Sequence, residues 1–195
     1  LTDALAGGAA GLAGGLFGGG GGMVLLPILS YQGHLEGRQV YATCIGVIFP
    51  ACVISAVVYL LRGGVALSEA APYLAGGLVG GWLGARLYGH IPLGVLRWLA
   101  AGVLLYGGVS GGTLLLVLLT LVLHVEQRTA QGINLLFFLP TAAAALIAHA
   151  RAGRLDRPTL QSAVPAAAAA SLAGAWIATG IDVSMLRRPF GLYLL

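Results

Sequence analysis

Five consecutive glycines, residues 18–22, interrupt the first apolar segment of this chain in "GGLFGGGGGMVLLPIL". Each glycine in a helix costs about 1 kcal/mol relative to alanine, so we expect the helix to break here. Fourteen residues precede the run within segment 4–31, and nine follow it. Each piece is roughly half of the 20 residues that a membrane-spanning helix needs. A break in lipid is tolerated only where protein or water covers the backbone, so the glycines should face the interior of a helical bundle.

The composition excludes a soluble domain. The chain has 195 residues, of which 58% are hydrophobic and 8% are charged, whereas soluble domains carry about 25% charged residues. All ten cations are arginines, most of them in short gaps between apolar runs, and no basic stripe with interleaved aromatic residues indicates nucleic-acid binding. Cys44 and Cys52 share one predicted helix about 12 Å apart, too far for a disulfide.

The pattern predicts an all-α integral membrane protein of about eight helical segments. The segments are 4–31, 39–61, 70–89, 92–108, 111–123, 129–150, 158–179 and 183–195.

The second half of the chain repeats the first at a constant offset of 90 residues, without gaps from 21–105 to 111–195. We therefore predict two four-segment repeats, 1–108 and 109–195, each opening with a glycine-broken or re-entrant half-helix. Whether the halves are parallel or inverted stays open, with the re-entrant form favouring inverted halves. Matched positions include Gly21 with Gly111, His34 with His124, Glu36 with Glu126, Arg38 with Arg128, Pro50 with Pro140 and Arg97 with Arg187.

Duplicated membrane halves are typical of transporters, which bind substrate near the midplane at discontinuous helices. A helix restarting after Gly22 has unpaired N–H groups and a partial positive charge at its end, and glycines allow a ligand close to the backbone. The turn therefore predicts an anion site built from backbone groups. We expect Gly21→Val to abolish transport while the protein still folds. The alternative is close helix packing, which we favour for spaced glycines such as Gly7 and Gly8.

A polar stripe begins the next helix of each repeat and predicts a lining for the same cavity, the alternative being interhelical hydrogen bonds. The candidate substrate-binding residues are Gly20, Gly21, Gly22, Arg38, Tyr41, Thr43, Cys44, Ser110, Gly111, Gly112, Arg128, Gln131 and Asn134. We expect no catalytic residue, metal or cofactor. The expected partners are a small anion and the lipid bilayer, and self-association into a homo-oligomer stays open.

Two other functions fit parts of the sequence. "GVSG" at residues 108–111 resembles the GxSG of rhomboid intramembrane proteases, with Ser110 as nucleophile and His149 as base. The repeat accounts for both positions, because Ser110 falls on Gly20 and His149 falls on Tyr59. An anion channel is the closer alternative, since channels and transporters share lining residues.

The order of motifs resembles the sulfite exporter TauE/SafE family. "GLFGGGGGMVLLPIL", "GRQVYATCIGVIFP", "RGG" and "GGLVGGWLGARL" carry the likeness in the first half, and "RTAQGINLLFFLPTAAAALIAHARAGRLD" carries it in the second. The resemblance implies an eight-segment carrier of the bacterial inner membrane that exports sulfite or an organosulfonate such as sulfoacetate by alternating access. The chain departs from the family in "LLYGGVSGGTLLLV", which lacks a loop and half a helix, so we expect a missing stretch near residues 106–111.

Overall fold

The computed structural model describes residues 2–33, 35, 37–62, 65, 68, 70–76, 78–79, 119–120 and 124–181. Within these ranges the regular structure is helical, with no strand. Residues 70–76 are helical, and five further helices have defined bounds: α1 Thr2–Phe17, α2 Gly22–Gln32, α3 Gly37–Leu61, α4 Gln127–Arg151 and α5 Arg157–Gly180.

Three of these helices, α3, α4 and α5, are long and apolar enough to cross a membrane. Their ends agree within two residues with the predicted segments 39–61, 129–150 and 158–179. The predicted segments 92–108, 111–123 and 183–195 lie wholly or largely outside the described residues, as does the stretch 106–111. The total of eight segments and the repeat boundary at 108/109 therefore stay predictions.

Helices α1 and α2 form an antiparallel hairpin. A Cβ atom added at Gly14 would lie 3.2 Å from the backbone nitrogen of Gly21, and one added at Gly21 would overlap the carbonyl group of Ala10. At the other end of the pair, Asp3 of α1 and Gln32 of α2 line the same open cavity of about 480 Å³. The chain therefore turns back at the glycine run instead of continuing across the bundle.

Helix α1 packs parallel to α5 along a stripe of small residues. Cβ atoms added at Gly7 and Gly11 would overlap the backbone of Ala163 and Ala167, and one at Gly15 would do so at Ser171. Glycines four residues apart lie on one face of a helix, where the absent side chains let two backbones approach closely. The packing expected for Gly7 is present, whereas Gly8 faces open space.

Helices α3 and α4 run antiparallel, as two contacts at opposite ends indicate. Gly132 near the start of α4 lies against Tyr59 near the end of α3, and Gly46 near the start of α3 lies against Leu146 near the end of α4. Both helices have 25 residues, and their first and last positions differ by the 90-residue offset. Equivalent helices that run in opposite directions are a property of inverted repeats. Superposition of the complete halves stays a prediction.

Helix α5 returns parallel to α3 after a short loop. Asp156 caps its N-terminus, since the carboxylate oxygen Oδ2 accepts a hydrogen bond of 3.0 Å from the Thr159 amide. The Asp156 amide donates to the Thr43 hydroxyl at 3.1 Å, which fixes this loop near the start of α3. At the far end, the Arg62 guanidinium lies 3.5 Å from the centre of the Trp176 ring.

Candidate functional site

The glycine turn of the hairpin lies against the middle of α3 and the first turns of α4. A Cβ atom added at Gly18 would lie 2.7 Å from the Cβ of Gln131. One added at Gly20 would lie 3.7 Å from both the Cys52 sulfur and the Ile48 Cγ2. The turn is therefore enclosed by protein, as non-helical backbone inside a membrane must be.

Two glycines of the turn are required by both conformation and space. Gly18 and Gly21 have φ values of 66° and 71°, in the left-handed region where other residues are strained. Their missing side chains also admit neighbouring backbone, that of Gln131 and of Ala10. Gly20 has a φ of 77° but ordinary van der Waals space around it. A substitution at Gly21 would therefore strain the backbone and also overlap Ala10. A substitution at Gly20 would strain the backbone without any overlap.

The N-terminus of α2 begins inside the bundle and lacks a side-chain cap. The Gly21 carbonyl oxygen accepts hydrogen bonds from the amides of Val24 and Leu25. Within the described ranges, no backbone acceptor serves the preceding amides of Gly22 and Met23. The first amides of a helix have no partner inside the helix, and they carry the positive end of its dipole. This end can donate hydrogen bonds to an anion without a charged side chain.

The side chain of Asn134 is joined directly to the turn. Its Nδ2 donates a hydrogen bond of 2.6 Å to the carbonyl oxygen of Gly18, and the residue is 2% exposed. Sequence reasoning placed Asn134 beside the glycine turn of the first repeat, and the structure brings the two together.

Tyr59, which sequence reasoning did not select, links α1, α3 and α4. Its hydroxyl lies 3.0 Å from Gln131 Oε1 and 3.3 Å from the Gly15 carbonyl oxygen. One hydroxyl proton serves one of these acceptors at a time. The sequence contains one feature that could have selected Tyr59: it is a polar aromatic residue late in an apolar helix, at the position that the repeat pairs with His149.

Three buried polar atoms near the turn have no hydrogen-bond partner among the described residues: Gln131 Nε2, Asn134 Oδ1 and Ser55 Oγ. Ser55 is 1% exposed and lies on α3 between Cys52 and Tyr59, within one turn of each. Such atoms each cost about 1–3 kcal/mol and are uncommon in folded proteins. We call residues 18–22, with Ser55, Tyr59, Gln131 and Asn134, the hairpin-tip site.

Arg128 supplies a positive charge one helical turn before Gln131. Its Nη2 donates a hydrogen bond of 2.8 Å to the Ile181 carbonyl oxygen, and its buried Nε has no acceptor in the described part of the chain. Arg128 can therefore favour negative charge at the hairpin-tip site.

The other predicted residues of α3 do not meet Gln131 and Asn134. Arg38 is exposed, and Tyr41 is 56% exposed. Thr43 and Cys44 are buried, but Thr43 bonds to the loop that follows α4. The structure therefore does not bring this stripe to the hairpin-tip site. In an antiparallel pair, positions related by the repeat lie at opposite ends, so the stripe of α3 is far from its equivalent on α4.

The remaining predicted positions Ser110, Gly111 and Gly112 lie outside the described residues, so a second glycine turn stays a prediction. His149, the suggested base of a protease, lies in the last turn of α4, at the opposite end from Gln131. Cys44 and Cys52 are both free, as expected from their separation along α3.

Comparison with known proteins connects the chain to one family description. The model of the family described as Sulfite exporter TauE/SafE matches residues 1–110 and, a second time, residues 106–195. Each half of the chain is therefore similar to the same family. No curated protein and no solved structure matches the chain.

Proposed function

We propose, since this chain belongs to the sulfite exporter TauE/SafE family of membrane transporters, that it exports a small sulfur-containing oxyanion by alternating access. Sulfite and organosulfonates such as sulfoacetate are the proposed substrates, and the bacterial inner membrane is the proposed location. Membership in a transporter family argues against the protease alternative.

The observation that carries this proposal is the uncapped N-terminus of α2 beside buried, unpaired side-chain atoms. Helix α2 has 11 residues, or about 16 Å, roughly half the thickness of a bilayer's hydrocarbon core. A helix of this length that enters the bilayer from one face ends near the midplane, where its positive end is screened little by water. An oxyanion there would accept hydrogen bonds from the amides of Gly22 and Met23 and from Gln131 Nε2.

Binding through these groups suits a carrier. A backbone hydrogen bond exchanged for hydration gains about 1 kcal/mol, and somewhat more when the acceptor is charged. Several such bonds select an oxyanion, yet none holds it strongly. Because the unpaired side-chain atoms are buried, a substrate reaches them only when the hairpin moves relative to α3 and α4. That requirement is what alternating access supplies.

Transport is tested with the full natural protein in liposomes, with labelled sulfite or sulfoacetate as the probe. We expect uptake above that of protein-free liposomes, and an uptake rate at least tenfold lower for Gln131→Leu than for the natural protein. Ser30→Ala is the matched control, because Ser30 is exposed and bonds to its own helix. Uptake equal to that of empty liposomes for both anions would contradict the proposal.

Counterflow separates the carrier from the channel alternative. Unlabelled anion inside the liposomes should accelerate entry of labelled anion, because a carrier returns faster when loaded. A channel passes ions without such exchange, so uptake that is unaffected by internal anion would favour the channel.

A further inference from the structure

The orientation of the Asn134 carboxamide is fixed by its partner. A backbone carbonyl can only accept a hydrogen bond, so the nitrogen of the amide must face Gly18. The oxygen Oδ1 is therefore the unpaired end of the amide, buried and without a donor in the described ranges. A fully deprotonated oxyanion has acceptor atoms only, and Asn134 Oδ1 would repel it. A ligand that donates a hydrogen bond would satisfy this atom.

Gln131 offers the complementary group. While the Tyr59 hydroxyl donates to its Oε1, the Nε2 of Gln131 is an unpaired donor. Gln131 and Asn134 are three residues apart on α4, and residues at this spacing share a helix face. A free donor and a free acceptor therefore stand one turn apart, and they match a ligand that carries both an O–H group and unprotonated oxygens.

The charge around the site points the same way. Arg128 and Arg62 both lie at this end of the bundle, one turn from Gln131 and from Tyr59 respectively, and Glu126 lies at the N-terminus of α4. These three described side chains carry a net charge of +1. The N-terminus of α2 adds about half a charge. A dianion would leave part of its negative charge uncompensated in a buried environment, which is costly. The single charge of a monoanion is balanced by the positive charge around the site.

We infer that the hairpin-tip site takes its oxyanion in a singly protonated, singly charged form, with the ligand's O–H group donating to Asn134 Oδ1. This inference rests on the proposed transport of a sulfur oxyanion and names the chemical form that is bound. It favours sulfite over sulfoacetate as the substrate, because the sulfonate and the carboxylate of sulfoacetate are both ionised near neutral pH. For sulfite the form is hydrogensulfite, which loses its proton close to neutral pH.

The test measures binding of sulfite and of methanesulfonate to the purified natural protein, from mildly acidic to mildly alkaline pH, under argon to prevent oxidation. Methanesulfonate is a monoanion without an O–H group, and its charge is constant over this range. We expect the dissociation constant for total sulfite to rise about tenfold per pH unit above the pKa of hydrogensulfite, because the protonated fraction falls at that rate. Binding of methanesulfonate should be weaker and independent of pH.

Three outcomes would overturn the inference. Sulfite affinity that stays constant or increases with pH would mean that the dianion binds. A parallel fall for both ligands would mean that a group on the protein titrates. Absence of binding for both ligands at every pH would overturn the proposed function as well. As a second measurement, Asn134→Leu should reduce the preference for hydrogensulfite over methanesulfonate, and retained methanesulfonate binding would show that this variant folds.

Discussion

The side-chain nitrogen of Asn134 donates a hydrogen bond of 2.6 Å to the carbonyl oxygen of Gly18, across 116 residues of sequence. The bond joins the turn of a half-length hairpin to a membrane-length helix of the other repeat. The φ of 66° at Gly18 is not helical, and a side chain here would overlap Gln131. Helix α1 therefore ends before Gly18, and the Gly18 carbonyl oxygen can accept a hydrogen bond from a side chain on α4.

Asn134→Ala should lower the free energy of unfolding by about 1–3 kcal/mol, because the buried Gly18 carbonyl oxygen loses its donor. Equilibrium unfolding in mixed micelles measures the change. Ser30→Ala removes an exposed hydrogen bond within α2 and should change stability by less than about 0.5 kcal/mol. Equal stabilities for the two variants would mean that the Asn134 bond contributes nothing to the fold.

Gly21→Ala should prevent normal folding. The residue has a φ of 71°, and its Cβ would overlap the carbonyl group of Ala10. Gly8→Ala is the matched control in α1, where an added Cβ meets no atom within 4 Å, and it should stabilise the helix by up to about 1 kcal/mol. Yield of monodisperse protein and thermal unfolding give the comparison.

This expectation replaces the one made from sequence for Gly21→Val, which supposed that the variant folds and fails only in transport. Because a side chain at Gly21 would overlap Ala10, we expect the variant to fail in folding before transport can be measured. A Gly21→Ala protein as stable as the natural one would contradict the close approach of α2 to α1.

Tyr59→Phe and Gln131→Leu should be coupled. Each change removes one partner of the 3.0 Å hydrogen bond, so the double variant should be less destabilised than the sum of the single changes. The expected coupling is about 0.5–3 kcal/mol, measured by unfolding of all four proteins. Tyr59→Phe combined with Ser30→Ala is the control pair and should be additive. Additivity in both pairs would show that the bond is not formed.

Cysteines at equivalent positions of the two repeats should be labelled from opposite sides of the membrane. Arg62→Cys lies after the end of α3, and Ala152→Cys lies after the end of α4, at the 90-residue offset. Both positions are exposed. Because α3 and α4 are antiparallel, a membrane-impermeant maleimide applied to one side should modify one variant and spare the other.

The natural protein is the background control for this labelling, because Cys44 and Cys52 are buried. Modification of Arg62→Cys and Ala152→Cys from the same side would indicate parallel halves.

The sequence alone determined the membrane class, the family, the 90-residue repeat and the ends of α3, α4 and α5. These follow from local rules, since the length of an apolar run and the glycines that interrupt it are read along the chain. It also identified Gln131 and Asn134, because an amide in an apolar helix needs a partner wherever it lies. The tertiary structure decided which partner each one has. It alone showed that α2 folds back on α1, that α3 and α4 run antiparallel, and that Tyr59 bridges Gly15 and Gln131 while Tyr41 faces outward. Helical periodicity places a side chain on a face of its own helix, but the direction of the neighbouring helix determines what that face meets.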